Sequence, residues 1–329
     1  MAVYTQVSDR DLAGFLARFD IGAPIACTPI AEGIENSNYL VETVGPITRP
    51  GHGTDKYILT LYEARVAAAD LPFYLDLMKH LSGCGITCPL PVADRNGETL
   101  HTLCGRPAAI FTFLAGDWPR SPTPDQCRET GRALARLHAA GRSFDGTRPN
   151  DLSVPAWREL FEPLRRSADT VRPGLTAFIG EELSALERQW PVGLPGGIIH
   201  ADLFPDNVFF RDGKLSGLID FYFACTDFLA YDIAICLNAW CFDADGTFDR
   251  RKAQALIEGY EDGRALLPEE SAALPVLARG AAMRFLLTRL HDWFHTPKDA
   301  LTRRKDPLEF IRRIEFHRSV PDSTAYGVG

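Results

Sequence analysis

The chain is expected to be an α+β protein of two lobes, a small one built on an antiparallel sheet and a larger, mainly helical one. Three observations predict this. Its 329 residues exceed the length at which one hydrophobic core stops growing. Short strand-like apolar runs dominate the first third, ending near Leu114. From Thr123 onward the apolar residues recur at helical intervals instead.

Within residues 1–20, Leu12, Phe15, Leu16 and Phe19 keep a helical rhythm and predict a first helix. The segment 30–38 is rich in turn formers and leads into a strand at Tyr39-Leu40-Val41. After a Gly- and Pro-rich loop at 45–55, the alternation over 56–62 is that of a half-buried strand. Residues 71–81 read as a helix inserted into the sheet, then 99–103 and 107–114 as two more strands about a turn at Gly105. Three prolines within 116–124 mark the boundary, so the lobes are expected at 1–115 and 116–329. Thr123-Pro124-Asp125 is a helix start, with Leu134, Leu137 and His138 following at helical spacing. Further helices are expected over 157–166, 175–190, 231–242, 249–263, 268–293 and 307–318. The tail from Pro321 is too poor in apolar residues to dock and is expected to fray.

Hydrophobic content of 46% and charged content of 24% are ordinary for a globular chain, and no apolar run approaches the ~20 residues that span a bilayer. The N-terminus lacks the basic start and apolar centre of a secretion signal, so a cytoplasmic protein without a membrane partner is expected. The eight cysteines are scattered, several in apolar segments such as Ile235-Cys236-Leu237, which suits buried reduced thiols rather than zinc ligands. A formal net charge of −8 argues against a nucleic-acid partner, whose binding rests on Lys and Arg density, and favours a small-molecule substrate.

The most informative segment is His200-Ala201-Asp202-Leu203-Phe204-Pro205-Asp206-Asn207, followed by Ile219-Asp220-Phe221. Between them, Val208-Phe209-Phe210, Asp212-Gly213 and the apolar run 215–219 predict a β-hairpin. Folding back about Asp212-Gly213 brings Asn207 and Asp220 together at its open end, where both can share one oxygen-seeking cation. Asp202 lies just upstream, on a loop stiffened by Pro205 and entered from the strand Gly197-Ile198-Ile199. Each of these residues alone is what a cap or turn would show. The ordered set is that of a phosphoryl-transfer site: Asp202 to take a hydroxyl proton, Asn207 and Asp220 to hold magnesium.

With a strand-rich small lobe, a helical large lobe and His200-x-Asp202-x4-Asn207 followed by Asp220, the chain resembles the aminoglycoside phosphotransferase and choline kinase superfamily, relatives of the protein kinases. Further blocks are similar to its bacterial homoserine kinase branch: 32–39, 57–63, Leu137-His138-Ala139-Ala140-Gly141, Arg148-Pro149-Asn150, 231–235, 238–241, Met283-Arg284-Phe285, Thr288-Arg289-Leu290 and Lys305-Asp306-Pro307. The resemblance covers nearly the whole chain and implies a bilobal protein-kinase-like fold. It also implies transfer of the γ-phosphate of ATP to the hydroxyl of L-homoserine, with Mg2+ as cofactor, on the route to threonine. It places Gly33, Asn36, Ser37 and Asn38 over the phosphates and backbone groups of Phe113 and Leu114 at the adenine edge. His200 is expected to brace the catalytic loop, and Asp232 to bond that loop or cap its helix.

In related kinases a strand Lys grips the phosphates, whereas the matching position here is Thr60. Lys56 and Arg65 flank that strand and are the candidate substitutes. This departure keeps open a catalytically weak, pseudokinase-like scaffold. For the acceptor, a small zwitterion needs an acid and a cation, and Tyr222, Asp227, Asn238, Trp240, Arg284 and Arg289 are the candidates. Arg284 and Arg289 lie five apart on one helix, so at least one is expected to face away. Choline, methylthioribose or an aminoglycoside are the alternative acceptors.

Overall fold

Ser8 caps the first helix, α1 (Asp9–Leu16), by accepting the Asp11 N–H at 3.2 Å. The structure, a computed structural model, describes residues 4–30, 36–44, 54–63, 66–296 and 305–328. These residues form two compact units, the first ending at Ala115 and the second opening at Gly116.

In the first unit α1 is followed by β1 (Ala23–Pro29), β2 (Ser37–Val44), β3 (Thr54–Leu61), α2 (Leu71–Gly83), β4 (His101–Leu103) and β5 (Arg106–Thr112). Among the described residues the strands make a five-stranded antiparallel sheet in the order β1-β2-β3-β5-β4. Tyr39 and Val41 on β2, Leu59 and Leu61 on β3 and Ile110 on β5 pack with Leu12, Phe15 and Leu16 of α1 in one core. β1 was not expected. Pro24 and Pro29 read against a strand, but β1 lies at the sheet edge, where a missing backbone donor is tolerated.

The second unit begins with α3 (Pro124–Gly141), whose start is the capping box of Thr123 and Gln126. Then come α4 (Val154–Phe161), α5 (Arg165–Val171), α6 (Leu175–Gln189), β6 (Gly196–Ile199), β7 (Val208–Arg211), β8 (Lys214–Leu218), β9 (Cys225–Phe228), α7 (Leu229–Trp240), α8 (Arg250–Glu261), α9 (Pro268–His295) and α10 (Glu309–Ser319). The helix expected over 157–166 is interrupted by a 3-10 turn at Glu162–Leu164, where Pro163 removes a backbone donor. Trp157, Ile179, Leu183, Tyr231, Ile235, Met283, Leu287 and Phe310 share the main core of this unit. α3 and α8 touch backbone to backbone: a Cβ at Gly131 would stand 2.0 Å from Leu256 O, and one at Gly259 2.1 Å from Arg128 O.

The tail departs from expectation. Asp322 accepts the Thr324 N–H and caps a 3-10 turn, Ser323–Tyr326. Tyr326 is 0% exposed, and its hydroxyl meets His317 Nδ1 at 2.8 Å. One well-partnered aromatic docks a segment whose composition alone argues for fraying. No described helix is long and apolar enough to cross a membrane.

Candidate active site

The hairpin forms as the sequence predicts, with Val208 opposite Leu218 and Arg211 opposite Lys214. Asp212 and Gly213 take positive φ values of 52° and 76°, as a type I′ turn demands. Ile219 N–H then bonds Asn207 O at 3.0 Å, closing the open end so that Asn207 and Asp220 occupy adjoining positions.

The loop from His200 to Asn207 is held from several sides. His200 N–H and Ala201 N–H donate to the two oxygens of Asp232 at 2.7 and 2.9 Å. Asp232 is fully enclosed on α7 and also takes a 3.2 Å bond from His138 Nε2 of α3, whose Nδ1 lies 2.9 Å from Tyr260 Oη of α8. Burial alone would raise the Asp232 pKa, but the His138 bond and the backbone donors outweigh it and hold the carboxyl below its ordinary value. The close crossing of α3 and α8 is what sets His138 and Tyr260 side by side.

His200 does brace the loop. Its Nε2–H donates to Ile219 O at 3.0 Å and its Nδ1 accepts the Asp202 N–H at 3.3 Å, so one ring ties the loop carrying Asp202 to the residue before Asp220. Burial keeps its pKa below the usual imidazole range, which suits the neutral form that this pairing requires. Leu203 O accepts from Trp240 Nε1 at 2.8 Å, Asp202 O accepts from Asn207 Nδ2 at 2.8 Å, and Ala201 O accepts from Arg284 Nη1.

Asn207 Nδ2 also reaches Asp202 Oδ2 at 3.2 Å, so the carboxamide turns its nitrogen to Asp202 and leaves its oxygen for another partner. Desolvation pushes Asp202 up to about 7 against the lowering effect of Arg284, with Asp220 and Asp206 adding repulsion. Asp220 is pushed up to about 6, again by desolvation first and Asp206 second. One of its oxygens, Oδ1, is buried without a hydrogen-bond partner. An orphaned carboxylate oxygen on Asp220 and the carboxamide oxygen of Asn207, two residues that the hairpin end brings to adjoining positions, are hard donors of the kind that suits a cation such as Mg2+. Ala201 and Asp220 stand at φ 61° and 64°, a region costly for any residue with a Cβ, so the backbone is strained on both sides of the site.

The other candidates divide. Asn38 and Thr60 face each other across β2 and β3, and Thr60 Oγ1 donates to Asn38 Oδ1 at 2.8 Å. Ser37 Oγ donates to Glu63 at 2.7 Å, and Asn36 Oδ1 accepts the Glu63 N–H at 3.3 Å. These side chains are spent within the first unit. Phe113 and Leu114 lie just past Thr112, the last paired residue of β5, and Phe113 is 42% exposed. Lys56 forms an ion pair with Glu42 at 3.5 Å. Gly33 and Arg65 lie outside the described residues.

Among the acceptor candidates, Asn238 and Trp240 are fully enclosed. Asn238 Nδ2 donates to Ala234 O and Ala278 O, which points its oxygen at His317 Nε2, while Trp240 props the loop. Both were expected in the pocket; the structure spends their polar atoms inside the unit. Arg284 is 2% exposed and serves the Ala201 carbonyl. Arg289 pairs with Glu309 and lies over the Phe310 ring. Asp227 is half-buried and accepts Asn150 Nδ2 at 2.6 Å, with burial raising its pKa against that bond. Tyr222 is half-buried and its N–H bonds the Asp220 carboxylate. Sequence reasoning missed the His138–Asp232 pairing, 94 residues apart, and the ion pair of Lys305 with Asp206 at 3.2 Å.

This fold and this loop define a phosphotransferase: the chain belongs to the phosphotransferase enzyme family, matching its profile over residues 26–266. More particularly, it is similar along its whole length to homoserine kinases. It is 56% identical over 328 residues to that of Azorhizobium caulinodans, covering 100% of this chain and 99% of the relative. To that of Rhodospirillum rubrum it is 57% identical over 329 residues, again covering 100% and 99%. Among solved structures, amicoumacin kinase hAmiN in complex with AMP-PNP and Ca2+ shares the fold, with a TM-score of 0.69 at 16% identity, covering 95% of this chain and 94% of that one.

Proposed function

We infer that this chain is an ATP-dependent kinase that phosphorylates the side-chain hydroxyl of L-homoserine, giving O-phospho-L-homoserine on the route to threonine. The observation that carries the choice of acceptor is the end-to-end likeness, at 56–57% identity, to homoserine kinases. The chemistry is supported by the loop itself. Asp202 has one oxygen engaged by Asn207, leaving Oδ1 for the acceptor hydroxyl. It orients that hydroxyl and takes its proton late, because a loose transition state puts little demand on a strong base early. Asn207 Oδ1 and the unpartnered Asp220 Oδ1 are the atoms that would hold Mg2+, and the ion when bound offsets charge on the phosphate oxygens. A nucleotide analogue and a divalent cation occupy the structural neighbour hAmiN, which supports the same pairing here. Asn36, Ser37, Asn38 and Thr60 spend their side-chain bonds within the first unit, so these side chains are not assigned a grip on the nucleotide phosphates. Asp227, half-buried and bonded to Asn150, is the acid assigned to the ammonium group of homoserine.

The test is ADP release from Mg-ATP with L-homoserine, choline, methylthioribose and an aminoglycoside in parallel. Homoserine should give the highest kcat/KM. Equal or greater turnover of any other acceptor would overturn the assignment.

A further inference from the structure

Ala201 holds a conformation, φ 61°, that its methyl group disfavours, and it immediately precedes Asp202. Such a residue stays put only where its surroundings over-determine it. On its N–H side the constraint is Asp232 Oδ1 at 2.9 Å. On its carbonyl side it is Arg284 Nη1, reaching across from α9. The guanidinium is 2% exposed and lies over the Phe223 ring at 5.2 Å and the Phe285 ring at 4.5 Å. It therefore spans the carbonyl before Asp202 and the segment three residues past Asp220. Its Nε is buried with no partner. A buried cation with an unmet donor is a poor device for stability, since an apolar side chain of similar volume fills the same space without the desolvation cost.

We propose that Arg284 is a positioning residue: it pins the left-handed turn at Ala201 and so aims the Asp202 carboxylate, and it does not contact homoserine. This rests on the assignment of Asp202 as proton acceptor. Arg284→Met removes the clamp while keeping bulk, and Arg284→Lys keeps charge and one donor but not the flat fork. Ala201→Gly lets the turn form without a Cβ penalty.

The experiment measures kcat, the KM for ATP and homoserine, and the melting temperature for both Arg284 variants, each with and without Ala201→Gly. Arg284→Met should lower kcat about 100-fold, in line with the cost of small misplacements of a reacting group, with both KM values within about threefold. Arg284→Lys should fall between. Ala201→Gly should restore kcat about tenfold in the Arg284→Met background, more than it changes the parent enzyme. A merely structural role would lower the melting temperature without that rescue. Homoserine KM rising more than tenfold at unchanged kcat would make Arg284 a substrate ligand, and kcat within twofold of the parent would leave it no role; either overturns the proposal. Should Arg284→Met not fold, the Arg284→Lys pair decides by the same criteria. If the parent enzyme turns over a different acceptor, the choice of homoserine fails while the clamp is still tested with that acceptor.

Discussion

Replacing Asp232 by Asn removes one acceptor and the negative charge while keeping size. Asp232 Oδ2 serves two donors, His200 N–H and His138 Nε2–H, and Oδ1 serves Ala201 N–H. The best placement of the new carboxamide puts its oxygen at the Oδ2 position, which sets its NH2 against the Ala201 N–H. One buried donor is then unmet, costing about 1–3 kcal/mol, and the remaining bonds lose their charge assistance, roughly 1 kcal/mol more. A loss of about 2–4 kcal/mol corresponds to a fall of roughly 5–15 °C in the melting of a unit this size. Because the unmet donor belongs to the residue before Asp202, kcat should fall about 100-fold with little change in nucleotide affinity. Thermal unfolding and steady-state kinetics on the purified variant check both numbers. A variant within 1 kcal/mol of the parent and above half its kcat would show that the Asp232 carboxylate does not hold the loop.

Asp220→Asn should abolish the magnesium-dependent part of the nucleotide-induced rise in melting temperature, whereas Asp202→Asn should keep that rise and lose turnover; the opposite pattern would reverse their roles. Burial, with help from the Arg313 charge, pushes His317 down to about 3, so the folded state keeps the ring neutral while the unfolded chain protonates it near its ordinary 6.5. Stability from this residue is therefore intact above pH 6.5 and lost as pH falls, by about 2 kcal/mol at pH 5. Urea unfolding of His317→Gln should show a flatter pH dependence between 7 and 5, and an unchanged slope would refute the assignment. Ending the chain after Val320 removes Tyr326 from its buried site and should cost roughly 3–5 kcal/mol, read as a shift in the urea midpoint.

What could be read from the letters was local. The hairpin and the convergence of Asn207 with Asp220 follow from two apolar runs about Asp212-Gly213, because turn chemistry and strand length fix which residues meet. Most helices from α3 onward were legible from period, but α5 was not: the expected helix at 157–166 overruns the end of α4 and only touches the start of α5. Two strands escaped. β1 carries two prolines, and β9 is a four-residue stretch run directly into α7, too short to show alternation. Contacts across long separations were invisible: His138 was seen only as part of a helical stripe, since nothing in one sequence links it to Asp232. Asn238, Trp240 and Arg284 drew notice as candidates for the acceptor pocket, yet the atoms they serve are backbone carbonyls and a histidine ring, identifiable only once the helices are packed. Tyr326 is the same case, a single anchor in a polar tail.

The completeness of the hydrogen bonding around His200, Ala201 and Asp202 carries a consequence for how this enzyme fails on heating. All three amide hydrogens in that stretch are donated to acceptors within the same unit, so their exchange with deuterated solvent requires those bonds to open and should be slow beside that of the exposed loops. The loop geometry is thus held by bonds to Asp232 and His200 that exist without substrate, and inactivation by temperature should follow the loss of those bonds.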